Sequence, residues 1–397
     1  MKKRNLVKAM LIVACSASLT ACSSSGDNTT TAEAPTTTAA PETTTTSAPE
    51  ETTTAEETTE AAKEPEKQEG PVNLRIGQVQ GAANGNQVFT VATAVVDDND
   101  TIIAAYIDEY QFLDSEQIGV PNSEAFVEDG SVAAGKLLAS KRENNEYYSE
   151  LMKQAGSTQM ISVNFDEIQG FAAGKTIAEL EELAGKSSEE VLDAVSGATL
   201  VNTGNYLGVI VDAAKAAKEN TAVVYEDDPS NLMLNVQEAA AHGNKCFTLA
   251  AALSDGNSIV LSYIDEFQFL DSEQIGVPNS DFFTEDGSIL DGKVLGSKRV
   301  NNTYYSENMK KAGSTKEIAA NFDAIQEFVN GKTILELEEL VGQSLAEEEE
   351  AELEGENVAD QRDQLEAEEK KETVDAVSGA TLVDKMNYIA AILSAVE

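Results

Sequence analysis

The chain repeats itself, and that restricts what it can fold into more than any other feature. Tyr106–Glu143 aligns with Tyr263–Val300 without a gap, at 28 identities in 38 positions. The strongest shared runs are Phe-Leu-Asp-Ser-Glu-Gln-Ile-Gly-Val-Pro-Asn-Ser (Phe112–Ser123 and Phe269–Ser280) and Ser-Lys-Arg (Ser140–Arg142 and Ser297–Arg299). Further on, Asp193–Val201 and Asp375–Val383 are the same nine residues, DAVSGATLV. The offset grows from 157 to 182, so the second copy carries 25 extra residues; they fall around Leu345–Glu372, where 13 acidic residues face 3 basic ones. A run of that charge reads as a solvated helix or acidic loop. A period near 160 residues is a duplicated domain, not a solenoid repeat.

The remaining 70 N-terminal residues are of another kind. Thr29–Glu60 holds 15 Thr and 7 Glu and no Leu, Ile, Val, Phe or Tyr, and five of the eight prolines lie between Pro35 and Pro71. Nothing there offsets chain entropy, so the segment reads as a disordered, self-repelling tether. Its 45 or so residues would reach on the order of 100 Å if extended. Ahead of it, Lys2, Lys3, Arg4 and Lys8 precede an apolar run, Ala9–Leu19, of 11 residues. That run is too short to span a bilayer and suits a secretory signal. It ends in Leu19-Thr20-Ala21-Cys22, which resembles a bacterial lipobox and implies lipidation of Cys22. The expected division is a signal peptide over 1–21, a tether over 22–71, a first domain over 72–222 and a second over 223–397, with the acidic insertion at about 345–372.

Composition removes several functions. With 27 Lys+Arg against 70 Asp+Glu the formal charge is 27 − 70 = −43, which argues against nucleic acid as a partner. One His (His242) and three Cys (Cys15, Cys22, Cys246) exclude, or nearly exclude, Cys/His zinc sites, an Fe–S cluster and a His-based triad. No metal ligands are expected.

Each copy reads as strands followed by helices. β-branched runs at Phe89–Val96 and Thr101–Ile107 flank Asp97-Asp98-Asn99-Asp100, and Phe247–Leu253 and Ser258–Ile264 flank Asp255-Gly256-Asn257. Helical patterns follow near Asn144–Ala155, Phe165–Ala172 and Ile177–Leu183, and a last helix follows each DAVSGATLV run (Leu200–Ala217 and Leu382–Val396). The fold class is α+β, an antiparallel sheet with packed helices.

Most polar motifs have a structural explanation. Gly174-Lys175-Thr176 and Gly331-Lys332-Thr333 lack the upstream glycine of a P-loop, since Gln169 and Gln326 stand there. Thr176 with Glu179, and Thr333 with Glu336, instead fit capping boxes. Asp108/Glu109 and Asp265/Glu266 fall on opposite strand faces and read as structural or solvated. Cys246 aligns with Val88 on a strand, and His242 lies in a polar turn. Tyr147-Tyr148 and Tyr304-Tyr305 read as helix residues packed on the core, with room for one ring of each pair to meet a planar ligand.

The DAVSGAT run is different. Ser196, Gly197 and Ala198, like Ser378, Gly379 and Ala380, leave open space beside a turn. Thr199 and Thr381 are expected at the start of the closing helix, where free N–H groups and the dipole favour a phosphate. A Thr N-cap is the plain alternative. The run, from Asp193 and Asp375 to the threonines, resembles the flavinylation signal of FMN-binding domains, as in the G subunit of Rnf complexes and the C subunit of the sodium-translocating NADH:quinone reductase. The resemblance implies two tandem FMN-binding-like domains, with FMN esterified through its phosphate to Thr199 and Thr381. It implies that Ser196, Gly197, Ala198, Ser378, Gly379 and Ala380 shape the attachment turns. Asp193 and Asp375 are implied to be recognised by an exported flavin transferase that uses FAD and Mg²⁺. The layout of lipobox, Thr-rich tether and two such domains is similar to flavinylated surface lipoproteins of Gram-positive bacteria that serve extracellular electron transfer. Two FMN groups on a lipid-anchored arm outside the cell membrane would then relay electrons from a membrane quinol or NADH dehydrogenase to extracellular acceptors, as a carrier more than as an enzyme with its own substrate site. The residues alone leave open a cofactor-free surface lipoprotein with two ligand-binding or structural modules.

Overall fold

The structure is a computed structural model that describes residues 70–311, 313–354, 377 and 379–396, with the backbone alone over 345–354. Residues 1–69, with Cys22 and all but the last two residues of the expected tether, and residues 355–376 lie outside it. Strands β1 (Val72–Gly81), β2 (Val88–Val96) and β3 (Ile102–Asp114) open the first half. Then come α1 (Ser123–Glu128), β4 (Lys136–Ser140), α2 (Asn145–Gln154), α3 (Ile161–Ala172), α4 (Ile177–Ala184), α5 (Ser188–Ala194) and α6 (Thr203–Lys218). A short strand, β5 (Val223–Tyr225), follows.

The second half runs β6 (Met233–Ala239), β7 (Cys246–Ser254), β8 (Ile259–Asp271), α7 (Ser280–Glu285), β9 (Lys293–Ser297), α8 (Asn302–Lys311), α9 (Ile318–Val329), α10 (Ile334–Glu354) and α11 (Lys385–Ser394). All sheet pairings are antiparallel, in the orders β4-β3-β2-β1-β5 and β6-β7-β8-β9. The chain is therefore α+β. β5 pairs with β1 through Val72↔Tyr225, so the first sheet extends past residue 222. Among the described residues no helix is long and apolar enough to cross a membrane.

An antiparallel strand with one wet face alternates polar and apolar residues. β2 (VFTVATAVV) and β7 (CFTLAAALS) do not, and every residue of both is buried. Each sheet is covered on two sides. Ala92, Ala94, Ile102 and Ile107 face Phe165, Ile168, Tyr206 and Ile210 from the helices of their own half. Ala250, Ala252, Ile259 and Ile264 do the same against Phe322, Ile325, Tyr388 and Ile392. The opposite faces pack on each other: Phe89, Val91, Tyr110 and Phe112 share one cluster with Phe247, Leu249, Phe267 and Phe269, and Leu74, Ile76 and Val95 share another with Ala251, Leu253 and Leu261. The result is a helix–sheet–sheet–helix sandwich. Gly77 lets α6 approach β1, because a Cβ there would lie 2.4 Å from the Ala217 backbone nitrogen.

The Val-Pro-Asn-Ser runs, which had no assigned purpose in the sequence, clamp the halves together reciprocally. Asn122 and Asn279 both adopt left-handed backbones (φ 69° and 66°) just ahead of α1 and α7. Asn122 Nδ2 donates to the carbonyls of Gly243 (2.9 Å) and Cys246 (2.7 Å), and Asn279 Nδ2 donates to those of Gly85 (3.0 Å) and Val88 (2.6 Å). Ala133 N donates to Ser288 O and Leu290 N to Ser131 O, both at 3.0 Å. Phe126 meets Phe269 at 5.2 Å and Phe112 meets Phe283 at 5.3 Å, both edge-on. Each of these contacts on one side has its counterpart on the other, the pattern of a two-fold interface built within one chain.

Candidate functional site

The DAVSGATLV turn connects α5 to α6. Helix α5 begins with a capping box in which Ser187 accepts from the Glu190 amide, a start absent from the sequence reading. The expected boxes at Thr176/Glu179 and Thr333/Glu336 are both formed. Asp193 sits exposed in the last turn of α5, and Ser196, Gly197 and Thr199 are exposed while Ala198 is buried. Gly197 takes φ 102° and Gly379 φ 106°, a backbone that L side chains rarely adopt, which accounts for the glycine. In the second copy Gly379 and Thr381 are exposed and Ala380 is buried; Asp375 and Ser378 lie outside the described residues.

One expectation is corrected. The threonines do not begin the closing helix or cap it: α6 starts at Thr203 behind Asn202, and α11 starts at Lys385 behind Asp384, and neither cap residue makes a side-chain cap bond. Three residues separate each threonine from its helix. What fixes the threonine is a buried asparagine from elsewhere. The Thr199 N–H donates to Asn164 Oδ1 at 2.7 Å, and its hydroxyl lies 3.1 Å from the same oxygen. Thr381 uses Asn321 Oδ1 identically, at 2.6 and 3.1 Å. With Oδ1 taking the hydroxyl hydrogen, the lone pairs of Oγ1 are not used in this bond.

The asparagines belong to the buried stripes of α3 (Ile161, Asn164, Phe165, Ile168, Ala172) and α9 (Ile318, Asn321, Phe322, Ile325, Val329). Asn164 and Asn321 are both 0% exposed, a position a polar side chain occupies only when its hydrogen bonds are met. Their amides are: Asn164 Nδ2 donates to Met160 O (2.9 Å) and Asn321 Nδ2 to Glu317 O (3.0 Å). A polar residue inside an apolar helical stripe, repeated in both copies, was the available signal.

The Ser-Lys-Arg runs hold these helices to the sheets. Arg142 donates to Asp166 (2.9 Å) and Gln169 (2.6 Å) of α3 and to the Ile107 carbonyl (2.8 Å), with its guanidinium 5.3 Å from the Phe165 ring centre. Arg299 binds Asp323 (2.8 Å) and Gln326 (2.5 Å) of α9. Lys141 donates to Glu109 (2.6 Å) and to the Tyr148 hydroxyl (2.7 Å), with both charged side chains fully buried, and Lys298–Glu266 repeats the pair at 2.6 Å. The carboxylates are thus structural and buried, not solvated. Burial pushes the Asp108 and Asp265 carboxyls up to about 6 despite the bonds that Ser140 and Ser297 donate to them. Burial and the neighbouring Glu266 push the Cys246 thiol up to about 12, so it is inert at neutral pH. His242 Nδ1 contacts Asp384 just ahead of α11.

Tyr147, Tyr148, Tyr304 and Tyr305 are all half-buried. Tyr304 and Tyr305 line a surface groove with Phe269, Asp271, Lys293 and Met309. The turns themselves are open, each with a large apolar neighbour in solvent: Val201 is 67% and Val383 78% exposed.

These residues fit a covalently tethered phosphate ester better than an enclosed ligand. Each threonine is exposed, its hydroxyl is held by the asparagine, and an exposed valine stands two residues on in each copy. Compared with protein-family models, with curated proteins and with solved structures, the chain matches none.

Proposed function

We propose that the chain is a lipid-anchored extracytoplasmic electron-transfer flavoprotein, carrying one FMN on Thr199 and a second on Thr381 through phosphoesters. The observation that carries the reading is the doubled turn: identical nine-residue runs, each presenting an exposed threonine whose amide and hydroxyl are held by a fully buried asparagine. A hydroxyl whose hydrogen is held by the asparagine keeps its oxygen lone pairs for attack on phosphorus.

In this reading an exported transferase with FAD and Mg²⁺ recognises Asp193, Asp375 and the small residues that follow. Bound FMN supplies reversible acceptance of electrons through its ring system, which the phosphoester leaves unmodified. Asn164 and Asn321 orient the acceptor oxygens; Gly197 and Gly379 supply the positive φ that the turn needs; Val201 and Val383 offer apolar surface near the attachment point. Cys22 and the Thr-rich tether would keep the sandwich within reach of a membrane quinol or NADH dehydrogenase and of extracellular acceptors, at the outer face of the cell membrane.

The test is coexpression of the chain with and without a flavin transferase. The reading expects yellow protein with two FMN-sized mass increments only when the transferase is present, one increment in Thr199→Ala or Thr381→Ala, and none in the double variant. Colourless protein of unmodified mass in its presence refutes it.

A further inference from the structure

The two turns share one sequence but not one electrostatic setting. In the first, the Gly197 carbonyl accepts from Gln159 Nε2 at 2.8 Å, and the Glu167 carboxylate lies over the glycine, close enough that an added Cβ would come within 2.7 Å of Oε2. In the second, the matching positions are Lys316 and Ala324. There the Gly379 carbonyl accepts from Lys316 Nζ, and an added Cβ would meet that nitrogen at 3.4 Å and Ala324 Cβ at 3.5 Å. One turn carries a carboxylate and the other an ammonium, two residues before the acceptor threonine. Glu317, beside Lys316, is turned to Asn302 Nδ2 at 2.7 Å.

Resting on the function proposed above, we propose that these two side chains set how readily each turn accepts the flavin nucleotide, Lys316 speeding transfer to Thr381 and Glu167 slowing transfer to Thr199. In the transfer, the threonine oxygen forms a bond to the FMN phosphorus of FAD, the pyrophosphate P–O bond breaks, AMP leaves, and the hydroxyl proton passes to solvent. The incoming group is anionic, and the product phosphodiester keeps one negative charge beside the turn. An ammonium at Gly379 attracts that charge throughout, and a carboxylate at Gly197 repels it. Because the recognition run is identical in both copies, flanking side chains such as these can distinguish them. The acidic run ahead of the second motif is common to every variant compared below and cancels.

The experiment is a time course of flavin attachment to the full chain with transferase, FAD and Mg²⁺, read by mass for the Thr199 and Thr381 peptides separately. Lys316→Gln is expected to slow attachment at Thr381 by about threefold or more, the effect of one unit charge several ångströms away near a surface, with the Thr199 rate as internal reference. Lys316→Arg should restore the rate, and Glu167→Gln should speed Thr199 by a similar factor. Raising the salt concentration to about 0.5 M should shrink both differences. Unchanged rates in Lys316→Gln and Glu167→Gln overturn the proposal while leaving the function standing. Attachment at neither threonine in the unsubstituted chain overturns both.

Discussion

Replacing Asn164 with Ala isolates the anchor of the first threonine. The substitution removes three hydrogen bonds: the two that Asn164 Oδ1 accepts from Thr199 and the one Nδ2 donates to Met160 O. At roughly 0.5–1.5 kcal/mol each, their loss costs about 2–4 kcal/mol, concentrated in the turn. Thr199 is exposed, so water can replace Asn164 as its partner, and the cost falls on the order of the turn more than on the fold. Two readouts follow. Amide exchange at Thr199 should quicken by a factor of about 30 or more, as the free-energy loss implies, while Thr381 keeps its protection. Flavin attachment at Thr199 should drop well below that at Thr381 in the same molecules. If the Thr199 amide remains as protected as before and attachment is equal at both sites, Asn164 does not hold the acceptor and the account of the site is wrong.

The inter-half clamp predicts that Asn122→Ala destabilises the fold by about 2–4 kcal/mol, from two lost hydrogen bonds plus a left-handed backbone that alanine resists, while Asn122→Gly costs less; denaturant unfolding distinguishes them. Lys141→Met strands the Glu109 charge at 0% exposure and should cost about 3–5 kcal/mol, and adding Glu109→Leu should recover much of that in the same assay. Asp108 and Asp265 hold their protons to about pH 6 in the fold against 3.8 unfolded, so between these values the unfolded chain binds fewer protons. Stability should therefore fall as pH rises from about 4 to 6, by on the order of 2–3 kcal/mol per group, and Glu238, pushed up to about 8 by burial and by Asp108, extends the fall above 6; Asp108→Asn should flatten part of the slope, and a rise over that window would contradict the burial argument.

The strands around Asp97–Asp100 and Asp255–Asn257, the capping boxes and the closing helices were legible because each depends on residues close in sequence. The packing of one half on the other was not. The Phe-Leu-Asp-Ser-Glu-Gln-Ile-Gly-Val-Pro-Asn-Ser run announces that something is shared between the copies, but Asn122 finds its partners 121 and 124 residues away, and no local pattern encodes that reach. The unbroken burial of β2 and β7 was the trace of a second covering layer, visible as apolar runs without polar alternation. At the site, Thr199 and Thr381 stand out in the sequence through the motif alone, and both are exposed in the fold. The helix start was misplaced because Leu200 and Val201 look helical, whereas the chain completes a turn before Asn202. Asn164 escaped notice because it acts 35 residues upstream, within a stripe that otherwise reads as plain core.

Peptide mass mapping of the protein taken from its own cell envelope tests the central claim most directly. The account predicts that the peptides bearing Thr199 and Thr381 each carry FMN on the threonine oxygen; both threonines recovered as free hydroxyls would contradict it.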